Sequence, residues 1–255
     1  MSYFRRKAHL FTRSLTTAAP TTVGIIRSQA ARHMGIQSTL LACNSDLSSV
    51  CALFQYHRIL TGTYSAAVAM SHTSQPDGGM DEGLGVSLTV TIGGTDNLDA
   101  SYDVLSPNED AQTLLYLVGD EIPPTSRVHP GSGPTNRKIL RARGEATPSS
   151  GWSDLLSLPL VAGKCMAIRG TLHANEGGSI GSARWLVVAK NVGGTVTIVG
   201  DNLNASNTFC DFATNYYAIT TRPRAYAGTN AVKLQCYGNS GSVVYSAFVD
   251  SAVTL

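Results

Sequence analysis

The chain has 255 residues, of which 43% are hydrophobic and only 14% charged, with a formal net charge of +2. That length makes one large domain or two small ones, and a charged fraction well below the roughly 25% of an ordinary soluble domain excludes a disordered chain, a coiled coil or a long-helix protein. No run of about 18 apolar residues occurs, which excludes a transmembrane helix, and 25 glycines with 10 prolines favour many turns and short strands.

Residues 1–36 read as an extended basic arm. Pro20 and Gly24 interrupt any helix, and Phe4, Leu10, Phe11, Leu15, Ile25 and Ile26 follow neither a helical nor a strand period. Arg5, Arg6, Lys7, Arg13, Arg27 and Arg32 precede the first acid, Asp46. These six are the candidate contacts to a partner subunit or to nucleic acid. The expectation is that the arm leaves its own subunit and lies on a neighbouring chain. The same Arg- and Thr-rich, acid-free composition also resembles an organellar transit peptide.

Residues 37–122 read as a smaller β-rich unit. Asn44 or Ser45 can cap a short helix near 45–60 with Leu47, Val50, Cys51 and Phe54 on one face, although the stretch also fits a strand. Gln75 to Gly85 reads as a Gly/Asp-rich loop, and its acids Asp77, Asp81 and Glu82 lack the spacing of a calcium loop. Val86, Leu88, Val90 and Ile92 alternate with Ser87, Thr89 and Thr91, the pattern of a half-buried strand that ends at Gly93-Gly94. Residues 100–105 and 113–118 are further strands. From Asp77 to Glu121 there are ten acids and no Lys or Arg, a block suited to meet a basic arm.

Residues 123–136 hold Pro123, Pro124, Pro130, Gly131, Gly133 and Pro134 and read as a linker. Residues 137–255 read as a β-sandwich domain. Met166, Ile168, Leu172 and Ala174 face one way, while Lys164, Arg169, Thr171 and His173 fall largely on the other side. Ala183, Trp185, Val187 and Ala189 alternate with Arg184, Leu186, Val188 and Lys190, which places Trp185 in the core. Gly193-Gly194 turns the chain into 195–199, and Gly238 to Gly241 turns Val232, Leu234 and Cys236 into Val243, Tyr245, Ala247 and Val249. About eight short strands in all are the signature of an antiparallel sandwich or jelly roll. The fold class expected is all-β.

Little points to catalysis. Cys43, Cys51, Cys165, Cys210 and Cys236 are odd in number and include no C-x-x-C, so free buried thiols are expected. The six histidines are scattered, which argues against zinc. Gly238-Asn239-Ser240-Gly241-Ser242 resembles the nucleophile segment of chymotrypsin-like proteases, and His173 and Asp201 precede it in the required order. No histidine stands in that family's Ala-His-Cys setting, and a hairpin turn accounts for the same residues. Gly131-Ser132-Gly133-Pro134 is not followed by the Lys of a P-loop. No cofactor and no metal are expected, and the protein is read as non-enzymatic.

The stretch 143–253 resembles a β-sandwich module of phage virion proteins, of the tail-fibre or capsid-decoration type. The residues that carry the resemblance are Glu145-Ala146-Thr147-Pro148, then Leu156-Ser157-Leu158-Pro159, then the Gly-rich turn at Gly177-Gly178 leading to Trp185. The hairpin from Gly193 to Gly200 and the closing strands from Val232 to Val249 complete it, with Tyr245 near the place where that family usually carries Trp. The resemblance implies a structural component of a virion: a homo-oligomer, a trimer being one option, that docks onto other virion proteins through its arm. The alternative is the major coat protein of a small virus, with a jelly-roll body and a basic arm that contacts the genome.

Overall fold

The computed structural model describes residues 6–15, 19–27, 33–60, 71–81, 84–93, 99–107, 110–120, 140–148, 150–176, 179–201, 212–214, 223–238 and 243–255. The described residues form strands and turns with no helix, so the protein is all-β. The chain divides into two compact units, Met1–Asn136 together with Leu255, and Arg137–Thr254.

The first unit contains β1 (Arg6–Ser14), β2 (Thr21–Arg27), β3 (His33–Cys43), β4 (Val50–Leu60), β5 (Ser71–Asp81), β6 (Ser87–Gly93), β7 (Asp99–Leu105) and β8 (Gln112–Asp120). They form a five-stranded sheet in the order β1-β8-β3-β4-β5 and a three-stranded sheet in the order β2-β7-β6, every pair antiparallel. The inner faces share one apolar cluster, with Phe11, Ile36, Leu40 and Leu115 from the larger sheet and Val23, Ile26, Tyr102 and Val104 from the smaller. Burying such side chains stabilises the fold by about 1.5–3 kcal/mol each.

Three expectations are corrected here. The first 36 residues are not an arm over their described part. β1 runs along β8 from Arg6 opposite Asp120 to Ser14 opposite Gln112, β2 runs along β7, and β3 begins at His33. Phe11, Leu15, Val23 and Ile26 are buried in their own unit's core. The aperiodicity has a local cause: the register of β2 slips between Thr22 and Gly24, which breaks the alternation that a straight strand would show. The second correction concerns 45–60. Residues 45–49 are turn and bend, and Val50–Leu60 is a strand whose both faces are apolar, with Val50, Cys51, Ala52 and Phe54 all buried. The third concerns the loop at 75–85, most of which is β5, an edge strand. Its register shifts where Pro76 and Gly78 face Gln55 and Phe54, so proline sits at a bulge on an edge, where a missing N–H is tolerated.

The second unit contains β9 (Leu140–Ala146), β10 (Gly151–Pro159), β11 (Lys164–Glu176), β12 (Ser179–Val192), β13 (Thr195–Asp201), β14 (Phe212–Thr214), β15 (Pro223–Gly228), β16 (Ala231–Gly238) and β17 (Val243–Thr254). One sheet runs β13-β12-β11-β17-β9, with β14 also paired to β12, and the other runs β10-β16-β15. Met166, Ile168, Val187, Tyr245 and Ala247 of the larger sheet meet Leu156, Leu158, Val232 and Leu234 of the smaller. Trp185 is 1% exposed at the centre, on the face that its alternation predicts. It fits because its partner across the ladder is Gly170, where a Cβ would lie 2.1 Å from the indole Nε1. The tight β12–β13 turn uses Gly193 and Gly194 at φ 59° and 94°, a conformation that other residues adopt at a cost.

Candidate interaction face

The outer face of the β10-β16-β15 sheet carries a connected set of aromatic and polar side chains. Its register explains the grouping. Trp152 lies opposite Tyr237, Asp154 opposite Gln235, Arg224 opposite Gln235, and Tyr226 opposite Lys233. Opposed residues share a face, and so do residues two apart on one strand, so all these side chains point outward together. Between them Val232, Leu234 and Cys236 point into the core. A bulge at Leu155 lets Leu155 and Leu156 both turn inward, while Trp152 and Asp154 remain outside.

The side chains hold one another. The Arg224 guanidinium lies 3.8 Å from the centroid of the Trp152 ring and 5.0 Å from that of Tyr226. Trp152 meets Tyr237 edge-on at 5.3 Å. Arg224 Nε donates to Gln235 Oε1 at 2.8 Å, and Gln235 Nε2 donates to Asp154 Oδ1 at 2.6 Å. Lys233 Nζ donates to Asp154 Oδ2 at 2.5 Å. The hydrogen bond from Lys233, then that from Gln235, holds the Asp154 carboxyl below the usual carboxylate range. From beneath, Tyr245 of the larger sheet crosses the core and donates its hydroxyl to the Tyr237 carbonyl at 3.3 Å. The face is therefore rigid, yet Trp152 and Tyr226 remain 39% and 45% exposed.

A second outward group lies on the larger sheet. Arg143 stands over the Phe248 ring at 5.2 Å and pairs with Glu145, whose carboxyl it holds below the usual range. His173 meets Phe248 edge-on at 5.8 Å. Arg143 is directly opposite Phe248, His173 reaches it diagonally from beside its own partner Ser246, and Arg143 and Glu145 stand two apart on β9.

The protease-like constellation does not assemble. On β12, His173 faces Ser182 and Asp201 faces Val187, which separates them by about 16 Å along the strand direction. Ser240 and Ser242 lie outside the described residues. A different Ser–His pair occurs in the first unit, where Ser38 Oγ lies 2.8 Å from His57 Nε2 and His57 meets Tyr102 edge-on at 5.5 Å. Both are fully buried, so the pair fills the interior between the sheets. Burial pushes the Tyr102 hydroxyl well above the usual tyrosine range.

Of the six basic residues proposed from the sequence, Arg13 has its side chain described. Arg13 is turned onto its own unit, its Nη1 donating to the Thr22 carbonyl at 2.5 Å. Arg6 and Lys7 lie on β1 and Arg27 on β2, where only their backbones are described, and Arg5 and Arg32 lie outside the described residues. Cys43, Cys51, Cys165 and Cys236 are buried and unbridged, and burial pushes the Cys236 thiol up to about 11. Among the described residues no group of three or more His, Cys, Asp or Glu could hold a metal ion. Sequence reasoning missed the aromatic face because its members come from three strands. The available signal was the i, i+2 pairing of large outward residues, Trp152 with Asp154, Arg224 with Tyr226 and Gln235 with Tyr237. Compared with protein-family models, with curated proteins and with solved structures, the chain matches none.

Proposed function

We propose that this chain is a non-enzymatic structural subunit of a virus particle, of the tail, fibre or capsid-decorating kind, which acts by self-association. The observation that carries the reading is the coincidence of two boundaries. The stretch 143–253, which resembles a virion sandwich module, falls inside one compact unit, Arg137–Thr254, with its own apolar core. A module with this autonomy can be joined to different neighbours without losing its fold. Docking through an N-terminal arm is no part of the proposal, since β1 and β2 are used within the first unit. Attachment falls instead to outer sheet faces and edges.

A coat-protein role is the second reading, and one observation favours it. In the first unit β1 pairs with β8 in one sheet and β2 with β7 in the other, the outermost pairings of a jelly roll. The remaining strands depart from that plan, because β3, β4 and β5 follow one another in the same sheet.

Light scattering and electron microscopy of the purified full-length chain, with an absorbance ratio for nucleic acid, test both. A discrete homo-oligomer free of nucleic acid is the expected result. Closed shells that carry nucleic acid would transfer the assignment to the coat protein. A chain that stays monomeric at every concentration and binds no particle would overturn both.

A further inference from the structure

We propose that the outer face of the β10-β16-β15 sheet binds a carbohydrate chain. The inference stands on the geometry of that face and holds whether or not the protein belongs to a particle. The rings of Trp152 and Tyr226 are exposed but held, one by the Arg224 guanidinium and by Tyr237, the other beside the same guanidinium. A ligand that stacks there pays little to order them. The Arg224 guanidinium stands 3.8 Å from the centroid of one ring and 5.0 Å from that of the other, so the two rings lie within about 9 Å of each other, close enough for one short chain of sugars to touch both.

The row between them selects the chemistry. Asp154 lies there with carboxylate lone pairs beyond those that Lys233 and Gln235 engage, Gln235 is buried beneath it at 9% exposure, and the Arg224 guanidinium, bonded to Gln235 through Nε, carries further N–H donors. Hydroxyl groups, which donate and accept, match that set. Charge argues the same way. Lys233 is paired with Asp154, so among the described residues Arg224 is left as the single net positive charge of the face. A nucleic acid gains its affinity by neutralising several phosphates, and one cation supplies little of that. An apolar peptide fits poorly as well, since a charged and amide row divides the aromatic ones. A sugar ring offers what remains: an apolar C–H face for the rings and a rim of hydroxyls for the row between them.

The test uses the full chain on an array of defined glycans, with hits titrated by tryptophan fluorescence. At least one glycan should bind, with an affinity that changes little with salt. Trp152→Ala and Tyr226→Ala should each weaken it about tenfold or more, the scale of an aromatic anchor at an interface centre. Asp154→Asn should weaken it less, and Val244→Thr, exposed on the other sheet, should leave it unchanged. Circular dichroism reports on folding, and Tyr226, on an edge strand, carries the test if the Trp152 variant does not fold. Retention of no glycan overturns the proposal. So does capture of a single-stranded oligonucleotide with steep salt dependence, or a loss of self-association in the same variants without any glycan effect.

Discussion

In the second unit the central cluster between the sheets is built of hydrophobic side chains, from Leu156 and Leu158 on one side to Met166, Ile168 and Trp185 on the other, with the Tyr245 hydroxyl reaching a backbone carbonyl across it. In the first unit the space between the sheets also holds Ser38 and His57, hydrogen-bonded to each other and packed against Tyr102. Both interiors are closed to solvent, but they are specified differently. One depends on volume, with the indole of Trp185 seated against the backbone of Gly170. The other depends on polar atoms finding partners in a low-dielectric space, where an unmade hydrogen bond is expensive. The first unit should therefore respond to chemistry and pH, and the second to size.

The largest expected effect is Trp185→Ala, which should destabilise the second unit by about 3–5 kcal/mol through the cavity it leaves. Denaturant unfolding monitored by Trp152, the other tryptophan of the chain, measures it. Gly170→Ala should follow with a loss of about 1–3 kcal/mol, because the new methyl group meets the indole and the Phe248 carbonyl, 2.4 Å away, and the backbone cannot yield. If Gly170→Ala proves neutral, the volume-limited description of that core is wrong. In the first unit Ser38→Ala should cost about 1 kcal/mol, a hydrogen bond rather than a cavity.

Tyr102→Phe should do the opposite. The Tyr102 hydroxyl is buried without a hydrogen-bond partner among the described residues, so its removal should be neutral or stabilising by up to about 1 kcal/mol. The pH dependence has a definite sign. Burial raises the folded-state pKa of Tyr102 above the ordinary value near 10, so its contribution is fully present below pH about 10 and is lost above it, as the unfolded chain gains the freedom to ionise. Thermal melts on either side of that pH should show a steeper alkaline loss in the natural chain than in the Phe variant. The smallest effect concerns thiols. Cys236, with its pKa raised to about 11, should react with a thiol reagent at neutral pH only as the protein unfolds.

These contrasts also explain what could be read before the fold was known. Strands with one buried face announce themselves, and so β6 and β17 follow the alternation of Val90 with Thr91 and of Tyr245 with Ser246, whereas β12 is buried on both faces from Trp185 to Ala189, Leu186 and Val188 included. Strand β4 is apolar on both faces, and a continuous apolar run has no period to distinguish strand from helix. Strands β2 and β5 carry bulges, and one slipped residue transfers every later side chain to the other face. The basic residues of β1 and β2 suggested a detached arm because charge is visible in sequence while pairing is not. Arg6 finds its place opposite Asp120 only through a partner far along the chain. The aromatic face was hidden for the same reason: Trp152 and Arg224 are neighbours only after β16 has come between their strands.

That distant pairing also bears on how the chain is made. In the first unit β8 lies between β1 and β3, and among the described residues β1 has no other strand beside it in its sheet. A nascent chain that has reached β7 therefore carries β1 and β3 with facing edges unfilled, and unpaired edges are the surfaces through which unfinished β-proteins join one another. Closure waits for Gln112–Asp120 to emerge and insert. Slow synthesis just before that segment would lengthen the exposed interval, and fast delivery of it would shorten the time in which two unfinished copies could trade strands. Yield in the cell should accordingly depend on the rate at which β8 is supplied as well as on the stability of the finished sandwich.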